Sequence, residues 1–155
     1  MKDYRYHLHN FNKDLVFSME GTVLKSLTLE ERSDFEEIKD SIGDVVCEQI
    51  QHYLTGELKE FTLDYDLSNL TPFQQRVLLA LSKVNYGQVL TYKELADRSL
   101  SPNSYRAVGS VMAMNPLPLI IPCHRVLRSD GEIGAYSMGG PEMKRWLLEL
   151  EKRHA

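Results

Sequence analysis

The first thirty residues run in short alternations of apolar and polar side chains: YRYHLHNF, LVFSM and TVLKSLTL, broken at Asn12-Lys13-Asp14 and at Glu20-Gly21. A period of two puts successive side chains on opposite faces of a pleated strand. The breaks carry turn residues, so this segment reads as two or three strands in a meander. The period then lengthens. Phe35, Ile38, Ile42, Val45, Val46, Ile50 and Leu54 recur three and four residues apart, which predicts a helix over residues 33–55 with one apolar stripe. Ser33, with Glu36 three residues on, offers a capping box, and Gly56 offers a stop. FTLDYDL alternates once more, as a further strand or an extended linker.

Beyond residue 70 the helix signals are denser. Thr71-Pro72-Phe73-Gln74 joins an N-cap threonine to a first-turn proline and a third-position glutamine. Phe73, Val77, Leu81 and Val84 mark the buried face of the helix that follows, and Gly87 ends it. Thr91 and Glu94 form a second capping box, opening a short helix that runs to about residue 98. SLSPNS is a turn. A third helix spans residues 104–114, with Ala107, Val108, Val111 and Met112 on its apolar side, and Asn115-Pro116 closes it. Two short helices across a tight turn suggest a helix-turn-helix, although a plain helical bundle produces the same pattern. Ser104, Tyr105 and Arg106 open the third helix, where hydroxyls and a cation can meet phosphates. Gly109, Ser110 and Ala113 give its exposed side no long polar groups to read base edges, which favours contact through DNA backbone and shape. VLRSDGEIGAY predicts a hairpin turning near Asp130-Gly131. Gly139-Gly140-Pro141 then starts a last helix with Met143, Trp146, Leu147 and Leu150 as its buried stripe and Glu151 beside it. The expected architecture is α+β in two domains: a β-meander plus helix over residues 1–66, and a helix-turn-helix, winged-helix-like domain over residues 71–155.

Composition adds little until it is divided. Of 155 residues, 43% are hydrophobic and 26% charged, as in ordinary globular domains. No apolar run approaches the roughly 18 residues of a membrane span, and MKDYRYHLHN lacks the apolar core of a secretory signal. Two cysteines, Cys47 and Cys123, supply no disulfide framework, so free thiols and a reducing cytoplasmic location are expected; the chain is separately expected to be a monomer. The net charge of −4 is unevenly spread. Residues 1–70 hold seven Lys and Arg against fifteen Asp and Glu, whereas residues 71–155 hold eleven against seven. The acidic front and mildly basic rear leave room for a polyanionic partner at the rear only.

The candidate chemistry lies in NPLPLIIPCHRVL, residues 115–127. A free cysteine has a pKa near 8.5, so little thiolate exists at neutral pH unless a base takes the proton. His124 adjoins Cys123, and a carboxylate behind the imidazole would fix its tautomer; Glu151, Glu149, Glu142 and Asp130 are available. In an extended strand the two side chains would point to opposite faces, so cooperation requires a turn after Pro122. A papain-like layout lacks its distant histidine, since only His154 follows. His7, His9, His52 and Cys47 show no CxxC or HxxxH spacing, and neither a metal nor a cofactor is expected.

IPCHRV, preceded by RAVGSVMAMNPLPLI and followed by SDGEIGAYSMGGPEMKRWLLELE, resembles the O6-alkylguanine-DNA alkyltransferases, also called methylated-DNA–protein-cysteine methyltransferases. The resemblance runs from about residue 71 to residue 151. It implies direct reversal of DNA damage: a guanine alkylated at O6, or a thymine at O4, is flipped from double-stranded DNA bound at the minor groove. Its alkyl group then moves irreversibly to Cys123 in a single turnover. By the same resemblance His124 deprotonates Cys123 through water, with Glu151 behind it. Arg106 fills the gap left by the base, and Tyr92 helps rotate the nucleotide and donates a proton. Asn115 locks the turn before the active segment. Met112, Pro118, Val126, Tyr136, Ser137 and Lys144 surround the substrate pocket. Within the resemblance, YSMGGPEMK carries one extra residue near Met138. The rival reading is a non-catalytic protein that binds alkylated lesions; such proteins lack the acceptor cysteine.

Overall fold

Three antiparallel strands open the chain: β1 (Lys2–Leu8), β2 (Lys13–Glu20) and β3 (Val23–Glu31), in the order β1-β2-β3. The computed structural model describes residues 1–155 and divides into two units, Met1–Asp66 and Leu67–Ala155. In the first unit the alternation becomes two faces. Tyr4, Tyr6 and Leu8 of β1 are buried, and Tyr4 and Tyr6 stack on Phe17 of β2 with centroids 5.0 and 5.7 Å apart. On the other face Arg5 donates to the buried Asp14, whose second partner is the Ser33 hydroxyl. Burial pushes the Asp14 carboxyl up, but the Ser33 and Arg5 hydrogen bonds outweigh it, and the group sits below the usual carboxylate range. FTLDYDL stays extended and touches the sheet at one bridge, Tyr65 beside Leu24.

Helix α1 (Ser41–Leu54) starts eight residues later than its periodicity predicts. Ser33 is committed to Asp14 and caps nothing; Asp40 is the N-cap, accepting from Gly43 N at 2.9 Å. Residues 33–40 are non-helical, and Ile38 pairs with Arg5 as an added piece of strand. The buried stripe is rotated accordingly. Gly43, Val46, Cys47, Ile50, Tyr53 and Leu54 face inward, while Phe35, Ile38, Ile42 and Val45 are exposed. Gly43 fixes that rotation, because a Cβ there would lie 2.6 Å from both the Tyr4 ring and the Tyr6 hydroxyl. Gly43→Ala should therefore cost about 1–3 kcal/mol through overpacking, despite alanine's better helix propensity, as a lower urea midpoint would show.

In the second unit, α2 (Pro72–Ser82) and α3 (Tyr92–Arg98) each carry a complete capping box, Thr71 with Gln74 and Thr91 with Glu94. The turn after α3 leads to α4 (Tyr105–Met114), completing the helix-turn-helix. Arg76 of α2 holds that turn, donating to the Ser99 carbonyl at 2.7 Å and the Ser101 hydroxyl at 2.9 Å. The buried residues of α2 are Val77, Leu78 and Leu81, with Phe73 half-buried. On α4, Val108, Val111 and Met112 are buried and Ala107 is exposed.

Two expectations fail here. The Asp130-Gly131 turn forms, with Gly131 N bonding to Arg128 O and Arg128 N to Glu132 O, but no hairpin surrounds it. Instead β5 (Val126–Leu127) pairs in parallel with β4 (Leu90–Thr91), a long-range partner invisible to local alternation. In α5 (Gly140–His154), Trp146 is 36% exposed and Met143 is half-buried; the inward side is Lys144, Leu147, Leu150 and Glu151. No helix is long and apolar enough to cross a membrane.

Candidate functional site

The segment from the end of α4 to β5 is held by one amide. Asn115 donates through Nδ2 to the Ile121 carbonyl at 2.9 Å, and its Oδ1 accepts from Leu117 N at 3.0 Å. Between those ends Leu117, Leu119 and Ile121 are buried, and Leu119 is left-handed at φ +74°, a strained conformation for leucine that its surroundings must enforce. Pro122 then leads into a 3-10 turn, Cys123–Arg125, which parts Cys123 from the two side chains that follow it. All three are buried.

His124 and Arg125 converge on Glu151. The carboxylate meets His124 Nε2 at 2.6 Å, accepts from Arg125 Nε at 2.8 Å and Nη2 at 2.9 Å, and accepts from Gly87 N at 3.2 Å. Arg125 also donates through Nη1 to the Val84 carbonyl at 2.6 Å. This answers how a guanidinium can be buried beside a cysteine: its charge is matched by a forked carboxylate, and Nη1 finds a carbonyl. Burial pushes the Glu151 carboxyl up, but the His124 and Arg125 hydrogen bonds prevail and hold it far below the usual carboxylate range. Burial holds His124 down despite Glu151, with Arg125 and Lys144 adding to that effect, so the imidazole rests neutral and able to take a proton.

Cys123 faces the other way, into a cavity of about 200 Å³ lined by Tyr92, Gly109, Met112, Ala113, Ala135, Tyr136 and Ser137. Burial raises the thiol pKa, while the Asn115 side chain and the Lys144 charge pull it back toward the thiolate. Lys144 is itself buried, its Nζ 3.4 Å from the Ala135 carbonyl and 5.9 Å from the Tyr92 ring centre. Its burial, opposed by Cys123, lowers its pKa to about 8. Below that pH the ammonium favours the thiolate. Lys144→Met should therefore slow alkylation of Cys123 by iodoacetamide about tenfold for each unit of thiol pKa it restores. The gap between variant and parent should be full below pH 8 and narrow as the pH rises through 8, which a rate–pH profile would show. Burial likewise raises the hydroxyls of Tyr92 and Tyr136, the latter far above its ordinary value. The Tyr136 hydroxyl has no hydrogen-bond partner within the chain.

Of the residues singled out in the sequence, Cys123, Tyr92, Met112, Tyr136 and Ser137 meet at the cavity. His124 and Glu151 lie together behind the 3-10 turn. Asn115 clamps the approach, Lys144 lies beneath, and Pro118 and Val126 are buried without lining the cavity. Ser104, Tyr105 and Arg106 stand outside it at the start of α4; Arg106 is exposed and Tyr105 borders an adjoining groove. Sequence reasoning missed the wall: Gly109, Ala113 and Ala135 contribute to it. Their signal was present, since Gly109, Met112 and Ala113 share one side of α4 at three- and four-residue spacing, but small residues there fit contact with DNA backbone and shape equally well. No group of three His, Cys, Asp or Glu side chains is placed to hold a metal ion.

A helix-turn-helix whose second helix forms the wall of a thiol-bearing cavity defines the class. Residues 72–153 match the family model for the 6-O-methylguanine DNA methyltransferase DNA-binding domain. A methylated-DNA–protein-cysteine methyltransferase of Mycobacterium bovis is 45% identical over 108 residues, 70% of this chain and 64% of the relative. The chain thus matches somewhat less than two thirds of the length of that curated relative. Among solved structures, Mycobacterium tuberculosis OGT in complex with DNA is 41% identical at a TM-score of 0.80, covering 92% of this chain and 88% of the other. Mycobacterium tuberculosis O6-methylguanine methyltransferase reaches a TM-score of 0.83 at 34% identity, covering 99% and 95%. The chain belongs to the 6-O-methylguanine DNA methyltransferase family.

Proposed function

We propose that this protein repairs DNA by taking an alkyl group from O6 of guanine onto Cys123, once per molecule. The observation that carries the reading is the buried thiol at the floor of a cavity walled by the second helix of the helix-turn-helix. α4 docks in the minor groove through backbone contacts from Ser104 and Tyr105. Arg106 occupies the space of the extruded nucleotide, and Tyr92 guides that nucleotide inward. His124, neutral and braced by Glu151, takes the Cys123 proton through water. The thiolate attacks the carbon bound to O6, an S–C bond forms, and the C–O bond breaks with its electron pair leaving on guanine. Tyr92 protonates the departing base and is reprotonated from solvent. Nothing in the step regenerates the thiol, so the reaction is stoichiometric. O4-alkylthymine, a smaller ring bearing the same reactive carbon, is the second substrate of this reading. The protein acts as a monomer, in a reducing cytoplasm that keeps the thiol free.

The test is to incubate the protein with duplex DNA containing O6-methylguanine and map the added methyl by peptide mass. The methyl should appear on the Cys123 peptide. Tight binding with an unmodified Cys123 after full incubation would replace this reading with that of a lesion-binding protein.

A further inference from the structure

A second groove opens next to the cysteine cavity, about 410 Å³ in volume and lined by Tyr92, Tyr105, Gly109, Arg128, Ser129 and Asp130. Tyr92 and Gly109 line both spaces, so the two share a wall. We propose that this groove seats a phosphodiester of the DNA strand whose base enters the cavity, with the Arg128 guanidinium as its cation and Ser129 as a hydrogen-bond donor. The proposal rests on the alkyltransferase reading above and adds a positioning residue to it.

Three features of the fold support this assignment. The Asp130-Gly131 turn fixes the Arg128 backbone from both sides, since Arg128 N bonds to Glu132 O at 3.0 Å and Gly131 N bonds to Arg128 O at 2.9 Å. A flexible side chain is thereby launched from a rigid base. Next, Gly134, at φ +78°, leaves open the space where Arg128 and Tyr92 meet. A Cβ there would lie 3.4 Å from Arg128 Cγ and 3.5 Å from the Tyr92 hydroxyl. The arginine stem and the Tyr92 hydroxyl thus border one space, and the Arg128 charge is felt at Tyr92, where it opposes the effect of burial. Finally, the guanidinium is exposed, and its ionic neighbour Asp130 is 3.9 Å away, beyond hydrogen-bond distance. Asp130 is held by the turn instead, accepting from Glu132 N at 2.9 Å.

A planar fork of donors suits a phosphate, which accepts two parallel hydrogen bonds. Base edges are the poorer match. The polar side chains of the groove are those of Arg128, Ser129, Asp130, Tyr92 and Tyr105, with no amide to pair a base edge and the arginine as the one cation. Asp130 would repel an anion, so its charge should weaken the contact measurably.

The experiment measures affinity for a duplex carrying O6-methylguanine over a range of NaCl concentrations, for the parent, Arg128→Ala, Arg128→Lys and Asp130→Asn. Transfer to Cys123 is followed in parallel from the duplex and from free O6-benzylguanine base. Arg128→Ala should bind the duplex about tenfold more weakly at low salt, and its dependence of log K on log salt should be shallower by about 0.9, the share of one phosphate. Its transfer from the free base should stay within twofold of the parent. Arg128→Lys should keep the parental slope, and Asp130→Asn should bind more tightly. An unchanged slope in Arg128→Ala overturns the proposal, as does an equal loss of transfer from the free base. A loss confined to certain flanking sequences at constant slope would mean base contact, and overturns it too. Should the parent bind DNA with the expected slopes yet leave Cys123 unmodified, the groove assignment stands and the alkyltransferase reading fails.

Discussion

Cys123→Ser should bind O6-methylguanine DNA as tightly as the parent and lose transfer by at least about three orders of magnitude, the scale on which removing a nucleophile acts. The replacement keeps size and shape within the cavity and leaves Tyr92, Met112 and Tyr136 in place. What it removes is the accessible anion. Burial raises the thiol pKa, and the Asn115 hydrogen bond and the Lys144 charge oppose that rise; the serine hydroxyl in its place has no comparable route to ionisation. Gel shift and transfer of a labelled methyl group from duplex DNA separate the two effects. Retained transfer would move the acceptor elsewhere in the chain. Lost binding would mean that the cysteine supports the fold rather than the chemistry.

The second large effect is expected at Glu151. Its carboxylate is the shared acceptor for His124, Arg125 and Gly87, all in the second unit. Glu151→Gln leaves the buried Arg125 guanidinium without a counter-charge, and the loss should reach about 3–5 kcal/mol. Urea unfolding would measure it. Transfer by the fraction still folded should fall about a hundredfold, because the imidazole loses the group that orients it. The double variant Glu151→Gln with Arg125→Met should regain most of the stability, since removing both charges leaves neither stranded, and should not regain the transfer rate. A failure of the second substitution to restore stability would assign the damage to packing instead.

The same carboxylate predicts a pH dependence. Its pKa in the folded chain lies below the value near 4.3 of an unfolded glutamate. A depressed carboxylate contributes fully above the unfolded pKa and loses its contribution as the pH falls toward the folded one. Parent stability should therefore decline below about pH 4–5, and the decline should be shallower in Glu151→Gln. Asp14 in the first unit adds to the same acid limb by the same sign.

How much of this could be read in advance follows from the range of each interaction. The capping boxes at Thr71 and Thr91 were legible because donor and acceptor lie three residues apart. The strand meander was legible because its period is local, and the family resemblance was legible from IPCHRV and its flanks. The false start of α1 came from Ser33, whose hydroxyl is claimed by Asp14, nineteen residues away. Periodicity also assumed that charge lies outside. In α5 that assumption placed Trp146 inward, whereas Lys144 and Glu151 are the buried members. Their burial follows from partners on other elements, the Ala135 carbonyl for one and His124 with Arg125 for the other. The predicted hairpin failed for a related reason: Val126 and Leu127 found partners at Leu90 and Thr91, thirty-six residues upstream. The cavity was only half legible, because its wall consists of side chains that are scarcely there.

That wall has a consequence of its own. Gly109 and Ala113 face the thiol, while Arg106 and Ser110 are exposed on the same ten-residue helix. Under the proposed function, one short helix thus serves both the reactive cavity and the surface offered to DNA. A methyl group gained at Gly109 would meet the Tyr92 ring at 4.0 Å, an ordinary contact that leaves the helix and Arg106 where they are, so the bay for an alkyl adduct can be narrowed without disturbing the hold on DNA.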